Sequence, residues 1–265
     1  MLQKITGHVR RAVEDYNMIQ EGDKIAVALS GGKDSITLLH ALHTLRRFYP
    51  IHFDIMAITI HPDSDTFVTD DLEKMCKDLG VEYVIYHSDL SNILFDVRKE
   101  KNPCSLCANL RRGMLNTIAL EHGCNKVALG HHLDDVIETV LMGMLYGAQM
   151  QTMMPKLHST FHEGMELIRP LYYVKEADII SWKQKNELEF IQCACRFTEH
   201  CTMCDNGGGG SKREEMKKLI KKLRQAYKNV DMNILRSTQN VNLDTLISYR
   251  KDGKTYHFLD NYDKK

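Results

Sequence analysis

The sequence predicts an α/β protein: a parallel, doubly wound sheet of about five strands, with a small cysteine-containing C-terminal extension. Two observations carry this. Short apolar runs rich in strand-favouring residues alternate with longer stretches whose apolar positions step at three and four, the pattern of βαβ units with right-handed crossovers. Two strand-to-helix turns also carry glycine followed by polar and acidic residues, Ser30-Gly31-Gly32-Lys33-Asp34-Ser35 and Gly130-His131-His132-Leu133-Asp134-Asp135. Such sheets bind ligands at the carboxyl ends of their strands, so the two turns are expected to meet in one crevice.

The elements follow in order. Residues 1–21 read as a helix carrying Arg10 and Arg11, and Ile25 to Leu29 form the core of a strand over 24–29. Ile36, Leu38, Leu39, Ala41, Leu42 and Leu45 are spaced for one face of a helix. Phe53 to Ile60 is a second buried strand, ended by His61-Pro62 because proline cannot continue the ladder. A helix over 65–79 stops at Gly80, and Val81 to Tyr86 is a third strand. A helix over 105–122 stops at Gly123, and Lys126 to Leu129 is a fourth strand. Leu133, Val136, Ile137, Val140, Leu141, Met144 and Leu145 then mark a helical face. Leu167 to Leu171 is a short fifth strand, and Glu176 to Glu187 a helix. Phe190-Ile191 leads into a cysteine-rich stretch, Gly207 to Gly210 is a flexible link or a ligand-hugging turn, and a lysine-rich helix covers 211–228. Asp252-Gly253, between Ile247-Ser248-Tyr249 and Tyr256-His257-Phe258, signals a hairpin. The chain thus divides into a main domain over 1–205 and a basic helical extension over 206–265 packed on it.

The first glycine turn has the chemistry of an anion cradle. Its glycines let the backbone approach a ligand, its free N–H groups and the helix dipole favour negative charge, and Ser30, Lys33 and Ser35 add donors. Asp34 would repel phosphate unless a cation lies between, which implies Mg²⁺. The spacing is not that of a Walker A loop. In the second turn Gly130 permits close approach of a nucleotide, and Asp134 and Asp135 suit Mg²⁺ binding or proton acceptance. His131 and His132 are open to roles as base, ligand or plain loop residue.

Composition bounds the rest. Thirty-five basic and 35 acidic residues give zero formal charge, so RNA binding has to come from local patches. No apolar run reaches membrane-spanning length and no secretory pattern opens the chain, so the expectation is a cytoplasmic protein with no membrane association. There are eight cysteines, which in a reducing compartment do not imply a disulfide framework. Cys76 and Cys124 stand alone in helical patterns, as packed thiols do. Cys104-Ser105-Leu106-Cys107 has the spacing of a metal clip and admits three readings: a redox dithiol, half of a zinc site, or part of an iron–sulfur cluster. Zinc would draw two further ligands from Cys193, Cys195, Cys201 and Cys204, and on the residues alone zinc and cluster stand level.

Ser30 to Ser35 after a strand resembles the PP-loop of the ATP pyrophosphatases. Tyr16 to Asp23, Pro103 to Cys107 and Gly130 to Asp135 narrow the resemblance to the tRNA 2-thiocytidine synthetase family, from the N-terminus to about Cys195. The resemblance implies ATP and Mg²⁺ at Ser30, Gly31, Gly32, Lys33, Asp34, Ser35, Gly130 and His131, with Asp34, Asp134 and Asp135 in catalysis. It implies a [4Fe–4S] cluster on Cys104, Cys107 and one distant cysteine, with an open iron able to carry hydrosulfide. Phe190-Ile191-Gln192-Cys193 fits the family's approach to that third ligand, so Cys193 is the first choice, but the following cysteine comes one residue early and leaves Cys195, Cys201 and Cys204 in play. The implied activity is a tRNA sulfurtransferase: ATP adenylates a base oxygen, sulfur replaces it, and AMP leaves. The expected partners are tRNA and a sulfur donor, either hydrosulfide or a cysteine desulfurase. Arg111 and Arg112 beside the clip, and Lys217 and Lys221 on the basic helix, suit RNA phosphate. Two rival readings keep the nucleotide site. One is a pyrophosphatase for 2-thiouridine formation or a small molecule, with structural zinc; the other is an ATP sensor without turnover. The sequence leaves the choice between monomer and homodimer open.

Overall fold

The computed structural model describes residues 1–61, 67–88, 103–186 and 212–262, with the backbone alone at 103–105, 107 and 108. The elements of the main body are α1 (Leu2–Asp15), β1 (Asp23–Ala28), α2 (Lys33–Arg46), β2 (Phe53–His61), α3 (Asp70–Leu79), β3 (Glu82–His87), α4 (Pro103–Glu121), β4 (Lys126–Ala128), α5 (Leu133–Gly147), β5 (Lys156–His158), β6 (Glu166–Ile168) and α6 (Glu176–Lys185). Then come α7 (Lys212–Ala226), α8 (Val230–Ser237), a hairpin of β7 (Ser248–Lys251) and β8 (Lys254–His257), and α9 (Leu259–Tyr262). Among the described residues no helix is long and apolar enough to cross a membrane.

The main sheet has six strands in the order β3-β2-β1-β4-β6-β5. Its first five run parallel, and β5 pairs antiparallel with β6 at the edge. The expected strands are all present; β5 is the addition. Strand order reverses between β1 and β4, the geometry that opens a crevice at their carboxyl ends.

The alternation of side chains explains why helices cover both faces. Ile25 and Val27 of β1, Ile55 and Ala57 of β2 and Ala128 of β4 point into one core with α1, α2, α5 and α6. Ala26, Met56, Ile58 and Val127 point the other way, against Ile118 and Ala119 of α4. Each central strand is therefore an unbroken apolar run, as a doubly covered parallel sheet requires. Met216 and Ile220 of α7 and Leu235 of α8 are also buried, so the start of the C-terminal region packs on the body.

The amino edge of the sheet holds a buried cation. Lys126, the first residue of β4, is only 2% exposed. Its ammonium donates to Gln20 Oε1 at 2.6 Å, lies 3.3 Å from Asp23 and also pairs with Glu166. Asp23 in turn accepts from the Gln20 backbone N–H at 2.6 Å and from Asn125 Nδ2 at 2.7 Å. The lysine is thus the shared partner of strands β1, β4 and β6 at that edge. Lys126→Ala would leave the buried Asp23 without its cation and Glu166 with Lys156 alone. The expected loss is about 3–5 kcal/mol of stability, measured as a urea-midpoint shift.

Candidate active site

At the carboxyl end of β1 the chain turns through Leu29, Ser30, Gly31 and Gly32 into α2. Gly31 takes a φ of 76°, open to glycine at little cost. The turn is knotted by Ser35, whose hydroxyl accepts from the Ser30 backbone N–H at 3.1 Å, sits 3.1 Å from Ser30 Oγ and donates to the Gly32 carbonyl at 3.0 Å. No side chain caps the start of α2, so its first-turn N–H groups face the crevice. Lys33 Nζ lies 3.0 Å from both carboxylate oxygens of Asp34 and 3.0 Å from Glu176 Oε1.

The second turn lies directly against the first. A Cβ added at Gly130 would sit 3.1 Å from the carbonyl carbon of Asp34 and 3.1 Å from the Ser35 nitrogen. Only glycine admits that approach without a shift. His132, 3% exposed, caps α5 and bridges the two turns. Its Nε2 lies 3.7 Å from Asp34, and its Nδ1 lies 3.5 Å from Asp135. Its backbone N–H donates to Asp135 Oδ2 at 3.1 Å.

The two adjacent aspartates have different surroundings. Asp134 is buried; it accepts from the Glu176 backbone N–H at 2.7 Å and from Arg224. Arg224 is itself held by Asp231 at 2.8 Å, which also meets Lys175 at 2.9 Å. Asp134 thereby ties α5 to the start of α6 and to α7. Asp135 stays partly exposed, 3.5 Å from Arg213 Nη1. One turn on, Glu138 is 1% exposed with its Oε2 3.4 Å from Arg213 Nε, and burial pushes its carboxyl up to about 7.

A cationic side completes the edge. Arg169, just after β6, is 5% exposed and donates Nη1 to the Met154 carbonyl. Its buried Nε finds no partner, and no described carboxylate pairs with it. Burial, then the nearby Arg112 guanidinium, push Arg169 down to about 10, so it stays cationic at neutral pH. Burial, then Arg169, push His131 down to about 4, so that ring is neutral, and its Nδ1 is unpartnered. Arg111 Nε is likewise buried without a partner. Arg169, with Arg112 near it, is thus a buried donor group that no described carboxylate meets, which fits phosphate oxygens.

The expected nucleotide residues Ser30 to Ser35, Gly130, His131, Asp134 and Asp135 are therefore gathered at one edge. Cys104 and Cys107 lie in the first turn of α4, spaced one turn apart, a donor set that suits a shared metal centre. Their thiols lie outside the described residues, as do Cys193, Cys195, Cys201 and Cys204. Among the described residues no three His, Cys, Asp or Glu side chains are arranged to hold a metal ion. Lys217 lies 3.8 Å from Glu176, and Lys221 is exposed on α7. Cys76 and Cys124 are buried thiols that burial pushes up to about 12 and about 11, which makes them poor nucleophiles. Sequence reasoning missed Arg169, Glu138, Glu176, Arg213 and Arg224. The one local signal was a charged Glu138 inside a strongly apolar helix.

Residues 1–195 match the PP-loop domain family. The chain is 40% identical over 240 residues to the tRNA-cytidine(32) 2-sulfurtransferase of Geobacter metallireducens, covering 90% of each chain. It is 38% identical over 252 residues to the enzyme of that name from Geotalea uraniireducens, covering 94% of this chain and 96% of the relative. Among solved structures it is similar to the U34-tRNA thiolase NcsA of Methanococcus maripaludis with its [4Fe–4S] cluster. That likeness has a TM-score of 0.69 at 25% identity and covers 89% of this chain and 77% of the other.

Glu138 gives the site a pH signature. Its folded carboxyl titrates near 7 against 4.5 when exposed, so its contribution is fully present below the lower value and is lost as pH rises through the upper. Stability should fall by on the order of 2 kcal/mol between about pH 5 and pH 8. Glu138→Gln should flatten that slope and be the more stable protein at the alkaline end, read from urea midpoints across the range.

Proposed function

The chain belongs to the tRNA-cytidine(32) 2-sulfurtransferase family of PP-loop proteins, and from that membership we propose that it is an ATP-dependent tRNA thiolation enzyme that replaces the 2-oxygen of a tRNA cytidine with sulfur. The observation that carries the reading is the contact of Gly130 with the peptide between Asp34 and Ser35. It brings the glycine loop and the carboxylate turn together at one edge of the sheet, which supports a shared nucleotide site.

Each part then has a task. The amides of Gly31 to Ser35 and the Lys33 ammonium bind the phosphates of ATP, and Asp34 would hold Mg²⁺ between itself and them. Adenylation converts a base oxygen, a very poor leaving group, into the oxygen of AMP. Arg169, with Arg111 and Arg112, neutralises charge on the phosphoryl group or on the RNA backbone beside it. Asp135 accepts the proton of the incoming sulfur nucleophile, while Asp134 keeps its neighbour in place through Glu176 and Arg224. Cys104, Cys107 and a distant cysteine, Cys193 by preference, would hold a [4Fe–4S] cluster, which supplies a site for sulfur delivery.

The test is an anaerobic preparation with iron, acid-labile sulfide and zinc quantified, followed by incubation with ATP, sulfide and unmodified tRNA. Iron and sulfide in near-equal amounts, AMP, pyrophosphate and a thiolated cytidine are expected. Zinc in place of iron, or pyrophosphate release with no thiolated nucleoside, would overturn the reading. Asp34→Ala and Ser35→Ala should each slow AMP formation by about a hundredfold or more. Cys104→Ala and Cys107→Ala should lose the brown chromophore and thiolation while Cys76→Ala keeps both.

A further inference from the structure

Among the described residues, the stretch from the end of α8 onward stands apart by its exposure. From Arg236 to Tyr262 no residue is buried. Within it, β7 and β8 form a two-residue-turn hairpin, with Asp252 and Gly253 both at positive φ, 50° and 74°. A lone two-stranded hairpin with both faces in water is marginal at best, so this one calls for a partner.

One face of the hairpin says what the partner is. The register pairs Tyr249 with Tyr256 and Lys251 with Lys254, and the Phe258 backbone N–H donates to the Ile247 carbonyl at 3.0 Å, which continues the ladder. With a period of two, these three pairs share one side. From base to tip it reads Ile247 and Phe258, then two tyrosines, then two lysines. Ile247 is 73% exposed and Phe258 48%. The tyrosine rings are stacked, 5.1 Å between centroids and 13° between planes. Lys251 and Lys254 stand opposite each other, a repulsive pair in a ladder, and no described acid pairs with either. The other side carries Ser248 with His257 and Arg250 with Thr255.

We propose that this face of the hairpin docks an unpaired stretch of tRNA, its bases against Tyr249, Tyr256 and Phe258 and its phosphates on Lys251 and Lys254. Aromatic platforms flanked by unpaired lysines are the chemistry that single-stranded RNA uses. A second copy of the chain fits poorly: a symmetric contact through this face would bring four lysines together. The proposal rests on the tRNA-thiolation reading and adds a docking element outside the phosphate loop.

The experiment uses the full-length chain and an unmodified tRNA transcript, with affinity measured over a salt series. Lys251→Gln with Lys254→Gln should raise Kd about tenfold and make the salt slope shallower by about 1.4. Tyr249→Ala with Tyr256→Ala should raise Kd at least about fivefold and leave the slope unchanged. Ser248→Ala with Thr255→Ala, on the other side, should stay within about twofold, which separates docking from loss of the hairpin. ATP conversion at saturating tRNA should be normal in all three. Wild-type affinity in the lysine and tyrosine variants would overturn the proposal. So would a dimer that these variants dissolve while tRNA affinity is retained, since the face would then belong to a second copy. If the wild-type chain itself failed to bind tRNA, the functional reading would fall first.

Discussion

A missing methyl group governs the reactive edge. Gly130 lets the end of β4 come within van der Waals reach of the peptide that opens α2. Because the two turns touch, His132 can bridge Asp34 and Asp135, and Asp134 can reach the start of α6. That start brings Glu176 to Lys33. The two turns are thus set against each other by backbone contact, and the side-chain pairs with Glu176, Arg213 and Arg224 are built on that contact. Catalytic placement needs that kind of rigidity, because a small misplacement costs rate steeply.

The two edges of the sheet treat a buried cation in opposite ways. Lys126 at the amino edge is met by Gln20, Asp23 and Glu166. Arg169 at the carboxyl edge has a single carbonyl for company and a second guanidinium nearby. Their burial is alike, so the difference lies in neutralisation. An amino edge that is electrostatically complete holds strands together. At Arg169 the carboxyl edge thus leaves donors unmatched among the described residues, and an anion arriving there would be stabilised.

Much of this was legible in the sequence, for a physical reason. Central parallel strands are buried on both sides and read as apolar runs, and helices between them show one apolar stripe. Both glycine turns were visible because anion binding and close approach demand particular residues. Strand β5 was not visible: Lys156-Leu157-His158 is short, polar and at the edge, and its pairing with β6 is a matter of tertiary placement. Glu138 falls off the apolar stripe of α5 and reads as solvent-facing, yet α7 returns from far along the chain to cover it. Arg169 falls within the expected short fifth strand, Leu167 to Leu171, and nothing local says that its Nε is sealed from water. Long-range contacts, not local pattern, decide these residues. The cysteine segment between α6 and α7 lies outside the described residues, so the choice of Cys193 as third ligand rests on the family resemblance of Phe190 to Cys193.

Lys33 offers a last consequence. Its charge is already matched by Asp34 and Glu176, so the loop is its own counterion system. An incoming anion has to outbid two carboxylates held in place by the fold. In the proposed nucleotide site the same two carboxylates would recover the ammonium whenever the anion leaves, so the empty loop is already an internally paired state.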